Sequence, residues 1–233
     1  MNIIKPSENK NRDWCIVNVA IGEWYPKGQE RLIDSIQKVG TPCDILTWTN
    51  EFPKVSGYDE GFVYNCKGAA LEYAYILGYK KIIWLDSSVW ALRGIKPIMD
   101  IIERDGYYFI DNKYNLRQTC SDRSLQIAGL TRGQAEKMIE VASGIFGIDT
   151  SQTNGALFLS MFIRLIKNGA AIGSKLHDNQ SADPNFLFHR QDQSVASLCY
   201  NLLDFRAIRQ WGQEVEYYPE RANEKTILTL KGM

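Results

Sequence analysis

The chain of 233 residues is poor in histidine, with two, and its five cysteines are dispersed. Cys15, Cys43, Cys66, Cys120 and Cys199 form no C-x-x-C pair, so a zinc site and a disulfide scaffold are excluded and reduced thiols are expected. No charge predominates, because 27 Lys and Arg are matched by 27 Asp and Glu. A protein that lives by non-specific phosphate contacts is basic, so nucleic acid is not expected as a partner. No apolar run approaches the roughly 20 residues of a membrane span. The opening MNIIKPSENKNRDW lacks the apolar core of a signal peptide, so the expected location is the cytoplasm. Apolar residues at 45%, charged residues at 23%, seven prolines and 18 glycines are unexceptional, which argues against collagen, disorder and coiled coil, and neither a low-complexity stretch nor an internal repeat is present. Walker, G-x-G-x-x-G and G-x-S-x-G motifs are also lacking.

What is present is an alternation of apolar, strand-like runs with helix-periodic segments, the pattern of a single α/β domain with helices packed on a sheet. Residues 1–13 read as a peripheral or flexible segment. Strands are expected at Trp14–Ala20, Cys43–Thr49, Lys81–Leu85, Tyr107–Ile110 and Gly144–Ile148, with terminal strands at Glu214–Tyr218 and Thr226–Leu230. Helices are expected over 28–39, 64–77, 97–104, 153–167 and 193–203. A further helix is expected from Thr131, whose spacing to Gln134 is that of a capping box ahead of Ala135, Met138, Ile139 and Ala142. The stretch 169–191 reads as loop, with His177 exposed in it.

In an open α/β sheet, ligands bind beyond the carboxyl ends of the strands. Asp86 ends the apolar run KIIWL, where a carboxylate is desolvated unless a cation or a hydrogen-bond donor meets it. A divalent ion carrying a diphosphate would do so, since hard cations take carboxylate, water and phosphate oxygens together. The other reading of Asp86 is a cap for the turn Asp86-Ser87-Ser88. His189 and Asp192, in HRQDQS, stand at the start of the last helix, where Asp192 either faces a ligand or caps the helix.

The order of segments resembles glycosyltransferases of the GT-A fold, the nucleotide-diphospho-sugar transferase superfamily. The matching pieces are IVNVAIGEWY, YNCKGAALEYA, KIIWLDSSVWAL, GIFGID and HRQDQSVASL, over about residues 14–205. The resemblance implies a single-domain, mixed and mainly parallel sheet flanked by helices, and transfer of a sugar from a nucleotide-diphosphate donor to an acceptor hydroxyl. It places Asp86-Ser87-Ser88 where the family has a metal-binding D-x-D motif. Ser88 in the third position removes one anionic ligand and weakens a Mn²⁺ or Mg²⁺ site.

By the same resemblance, Ala20 and Ile21 approach the base and ribose, Tyr25 or Trp24 stacks on the base, and Lys67 is a cation near the nucleotide; the other readings are that Trp24 and Tyr25 close a surface loop and that Lys67 is a solvated lysine on an exposed helix face. Asp192 orients the donor sugar or acts as general base, with Gln193 beside it, and His189 is a metal ligand or phosphate donor. Gly144 and Gly147 either let the backbone approach the sugar or acceptor, or mark a bulge. Asp122 either contacts the donor sugar or acceptor, or caps the segment that follows it. The acceptor, whether saccharide, lipid-linked or protein, is expected over 111–130 and 169–191. Two other readings are a nucleotidyltransferase of the same superfamily and a degenerate nucleotide-sugar-binding or interaction module.

Overall fold

The computed structural model describes residues 1–5, 13–173 and 181–231. Its first half contains β1 (Asn2–Ile4), β2 (Trp14–Ala20), α1 (Tyr25–Lys38), β3 (Asp44–Thr49), α2 (Cys66–Ile76), β4 (Lys81–Leu85), β5 (Val89–Ala91) and α3 (Lys96–Asp105). Next come β6 (Tyr107–Tyr108), β7 (Asp111–Asn115), α4 (Leu116–Thr119), α5 (Asp122–Ile127), α6 (Arg132–Ala135), β8 (Ile139–Val141) and β9 (Ile145–Asp149). The last part holds α7 (Thr153–Lys167), α8 (Asp192–Leu202), β10 (Val215–Glu216) and β11 (Leu228–Leu230).

Six strands form the central sheet in the order β1-β3-β2-β4-β9-β6. Its centre, β3-β2-β4, is parallel, and β1, β9 and β6 join antiparallel. This is the mixed sheet expected from the alternating pattern, with its parallel strands buried as apolar runs need. Neighbouring side chains in each strand enter opposite cores. Val17, Trp84 and Phe146 pack with α2, α7 and α8 residues such as Phe158 and Leu198. Ile16 and Ile83 pack on the other face with Leu32 and Ile36 of α1 and Ile98 and Ile102 of α3.

A second sheet, β10-β11-β5, braces the segment that follows β4. Its β11 runs antiparallel to β5, pairing Leu230 with Val89. Gly147 of β9 serves packing rather than the approach of a sugar, because an added Cβ would run into the Ile102 side chain. Asn2–Ile4 of the segment read as peripheral forms an edge strand on β3.

The helix expected from Thr131 differs. Its capping box with Gln134 forms, yet the helix stops at Ala135 and Ile139–Val141 becomes a strand paired with β7. The apolar spacing of Met138, Ile139 and Ala142 is answered by this pairing and by α8, whose Asn201 and Ser197 side chains bond the backbone of Ile139 and Val141. Tertiary partners outweigh local propensity here.

Candidate active site

At the carboxyl edge of β2 and β4 lies an open cleft of about 310 Å³. Its walls come from Val19 and Ile21 of β2 and the loop after it, Tyr25 at the start of α1, and Val63, Tyr64, Cys66 and Lys67 around the start of α2. Trp84, Asp86, Ser87 and Ser88 come from the end of β4 and its turn, Ser143 precedes β9, and Arg190–Gln193 open α8.

Lys67 is the electrostatic centre. Its side chain is 6% exposed, and its Nζ lies 2.6 Å from Asp192 Oδ2 and 3.4 Å from Asp86 Oδ1. The same ammonium donates to the Ser143 carbonyl at 2.7 Å and sits 4.7 Å from the Trp84 ring centroid. A buried cation without such partners would be very costly. Burial alone would lower the pKa of this ammonium, but Asp192 and then Asp86 outweigh it and leave it raised.

The cationic partner that a carboxylate at the end of KIIWL calls for is thus supplied by the chain itself. Asp86 is also less desolvated than its position suggests, with 41% of its side chain exposed. Its Oδ1 accepts from Trp84 Nε1 at 2.6 Å, and its backbone N–H donates to the Gly144 carbonyl at 2.8 Å. Gly144 lies against this carboxylate, since a Cβ there would stand 3.1 Å from Asp86 Oδ2. The turn after Asp86 is closed by its backbone carbonyl, which accepts from Val89 N at 3.0 Å, so the side chain is not spent as a cap.

Asp192 is the first residue of α8 rather than its cap; Gln191 holds the cap position, with no capping hydrogen bond from its side chain. Gln191 has φ 42° and ψ −117°, an unusual conformation for a residue with a side chain. Asp192 Oδ2 also accepts from Ser143 Oγ at 2.9 Å. Beside it, Gln193 Oε1 accepts from Ser143 N at 3.3 Å, while its buried Nε2 has no hydrogen-bond partner. A buried donor left unsatisfied is costly, so an acceptor on a ligand in the cleft would gain this bond.

A polar network centred on the buried Asn18 and Gln29 lies beneath the Ser87 turn. Asn18, inside the apolar β2, donates to the Leu85 carbonyl at 2.7 Å and to Ser87 Oγ at 3.3 Å. Gln29 of α1 donates to Asn18 Oδ1 at 2.7 Å and to the Trp48 carbonyl at 3.1 Å, and accepts from Thr49 Oγ1. Arg31, 4.1 Å from the centroid of Trp90, donates to the Ser88 carbonyl at 3.1 Å. These contacts hold the turn in place from the α1 side.

Ile21, Tyr25, Lys67, Asp86, Ser87, Ser88, Asp192 and Gln193 therefore meet in one cleft, with Gly144 packed behind Asp86. Ala20 does not line it; it is fully buried and its carbonyl accepts from Asn50 N at 2.7 Å. Trp24 is 65% exposed and faces Lys27. Asp122 lies elsewhere, paired with Arg132 and Ser181, and the cap of its helix is Ser121. His189 is fully buried, its Nδ1 accepting from Ser121 N at 3.2 Å and its Nε2 3.5 Å from Ser124 Oγ. His189 and Asp192, three apart in sequence, thus meet different parts of the protein. His177 lies outside the described residues.

These positions bear directly on the expected divalent ion. Among the described residues no three His, Cys, Asp or Glu side chains gather. His189 is turned away, and an ammonium stands between the two carboxylates that remain. The residues present do not fit a cation held by the protein itself.

Among the participants that escaped the sequence reading are Ser143, Trp84 and Arg190. Trp84 and Ser143 read as ordinary core and loop residues. Arg190 lies within HRQDQS, beside His189 and Asp192, whose residue types point more directly to chemistry. Asn18 carried a usable signal, an amide in the middle of an otherwise apolar strand.

No protein-family model matches the chain, and no curated protein sequence does. Solved structures do. The chain is similar to a glycosyltransferase involved in glycosylation of the major capsid of PBCV-1, at 9% identity over 93% of this chain and 92% of that one, with a TM-score of 0.53. It is also similar to mouse xyloside xylosyltransferase 1, at 9% identity over 93% and 97% of the two chains, with a TM-score of 0.55. The bifunctional glycosyltransferase WbbM matches at 12% identity over 97% of this chain and 46% of that one, with a TM-score of 0.50. The fold is that of GT-A-type glycosyltransferases. Among the described residues no helix is long and apolar enough to cross a membrane.

Proposed function

We propose that the chain is a glycosyltransferase that moves a sugar from a nucleotide-diphosphate donor to an acceptor hydroxyl. The observation that carries this reading is Lys67, buried between Asp86 and Asp192 in a cleft at the carboxyl ends of the central strands. Paired carboxylates and an ammonium in a polar-walled cleft suit the hydroxyls of a sugar, and the unpaired Gln193 Nε2 adds a donor. Ile21 and Tyr25 line the side where a nucleotide would lie, and Ser87 and Ser88 line the side where its diphosphate would lie.

In the transfer, the bond between the anomeric carbon and the β-phosphate oxygen breaks and its electron pair stays on that oxygen. The acceptor oxygen bonds the carbon, and its proton is released to water. Asp192, whose Oδ2 is committed to Lys67 and Ser143, presents Oδ1 to a sugar or acceptor hydroxyl. The divalent ion expected from a D-x-D motif is not carried into this reading, because Lys67 already stands between the carboxylates. The acceptor is a saccharide, a lipid-linked sugar or a protein, held by the loops near the mouth of the cleft.

Isothermal calorimetry with a panel of nucleotide sugars, with and without Mn²⁺, followed by a donor-hydrolysis assay, tests the proposal. Micromolar to millimolar binding of one donor with slow hydrolysis is expected. Failure of every nucleotide sugar to bind would overturn it.

A further inference from the structure

Two cations line the cleft among the described residues, and their situations differ. The charge of Lys67 is taken up by Asp192 and Asp86. Arg190 is exposed and pairs with no carboxylate among the described residues; its guanidinium lies 5.6 Å from the Phe188 ring centroid. Its backbone is firmly held. The Arg190 N–H donates to Ser194 Oγ at 3.0 Å, its carbonyl accepts from Gln193 N at 2.9 Å, and Ser194 Oγ in turn donates to the Thr119 carbonyl. A rigid base therefore carries, at the mouth of the cleft, a positive head that pairs with no carboxylate among the described residues.

A nucleotide-sugar donor brings a diphosphate with two negative charges, and its departure leaves one more on the β-phosphate oxygen. With Lys67 neutralised by its own neighbours, a further cation is needed, and the site offers no cluster of ligands to hold a divalent one. A guanidinium binds phosphate oxygens in a bidentate manner, with strong, charge-assisted hydrogen bonds. We propose that Arg190 is the group that meets the donor's diphosphate, so that the nucleotide binds without a divalent ion held by the protein. This rests on the transferase reading above.

Calorimetry of the intact chain with uridine and guanosine diphosphate, each in EDTA and in Mn²⁺, tests it on wild type, Arg190→Gln and Arg190→Lys. Wild type is expected to bind one of the two in EDTA. Arg190→Gln should bind it about 10- to 100-fold more weakly, and Arg190→Lys should recover part of the loss. The matching nucleoside, which has no phosphate, should bind all three proteins equally, and their melting temperatures should agree because the side chain is exposed. Binding that needs Mn²⁺, or that is unchanged in Arg190→Gln, would overturn the role of Arg190 and leave the transferase reading standing. Absence of binding by both nucleotides in both conditions would overturn the two together.

Discussion

Lys67 Nζ and Asp192 Oδ2 are 2.6 Å apart with both side chains almost wholly buried. Truncating one partner of such a pair strands the other charge in the interior, at a cost of about 3–5 kcal/mol. Lys67→Met is expected to lower stability by that amount in urea denaturation, whereas the double variant Lys67→Met/Asp192→Leu should recover more than half of it. A single variant within about 1 kcal/mol of wild type would mean that the pair does not form.

Asp86 is coupled to the same ammonium but is half exposed, so its removal should weigh on binding rather than folding. Asp86→Asn is expected to retain the wild-type melting temperature to within 2–3 °C, about the effect of a surface substitution. Donor hydrolysis should fall at least about tenfold, the loss of one charge-assisted bond. Full hydrolysis together with a large loss of stability would make Asp86 a structural residue.

The raised pKa of Lys67 fixes a sign for pH dependence. Burial would lower it, yet Asp192 and Asp86 prevail, so the folded-state value lies above the usual 10.5. The contribution of the ion pair is therefore complete below the unfolded value and is lost as pH rises through the folded one. The stability gap between wild type and Lys67→Met should stay constant from about pH 6 to pH 9 and narrow above about pH 10.5. Narrowing near neutral pH in urea titrations would contradict this assignment.

Asn18 is a positioning residue for the Ser87 turn. Asn18→Ala leaves the Leu85 carbonyl and one Gln29 bond without their partner, at a cost of about 1–3 kcal/mol. The effect should extend to binding, with nucleotide-sugar affinity falling in calorimetry while Asn18→Ser retains part of it. An affinity equal to wild type in Asn18→Ala would limit the network to a packing role.

Much of the fold could be read from residue patterns because the central strands are continuous apolar runs bounded by glycine, proline and charge. Trp14–Ala20 and Lys81–Leu85 occur where the runs predict, and Thr153–Lys167 is helical as its spacing requires. The segment from Ala135 to Ala142 was not legible, because its apolar spacing suits a helix until β7 and α8 offer backbone and side-chain partners. The candidate cleft was legible where a charged residue interrupts an apolar context, as at Asp86, and through the family resemblance at Lys67 and Asp192, all three of which line it. It was not legible at His189, whose spacing to Asp192 says nothing about the backbone turn at Gln191. Ser143 contributes a carbonyl, a hydroxyl and an N–H, of which only the hydroxyl is specific to its residue type.

The pairing of Leu228–Leu230 with Val89–Ala91, and of Lys231 N with the Ser88 carbonyl, has a bearing on biosynthesis. The parallel strands β2, β3 and β4 can associate once Leu85 has emerged, whereas the loop just beyond them gains this brace only after Leu230 has been made. Contacts so distant along the chain are slow to form. A ribosome stalled before that point would hold a nascent chain with an assembled sheet and an unfinished pocket.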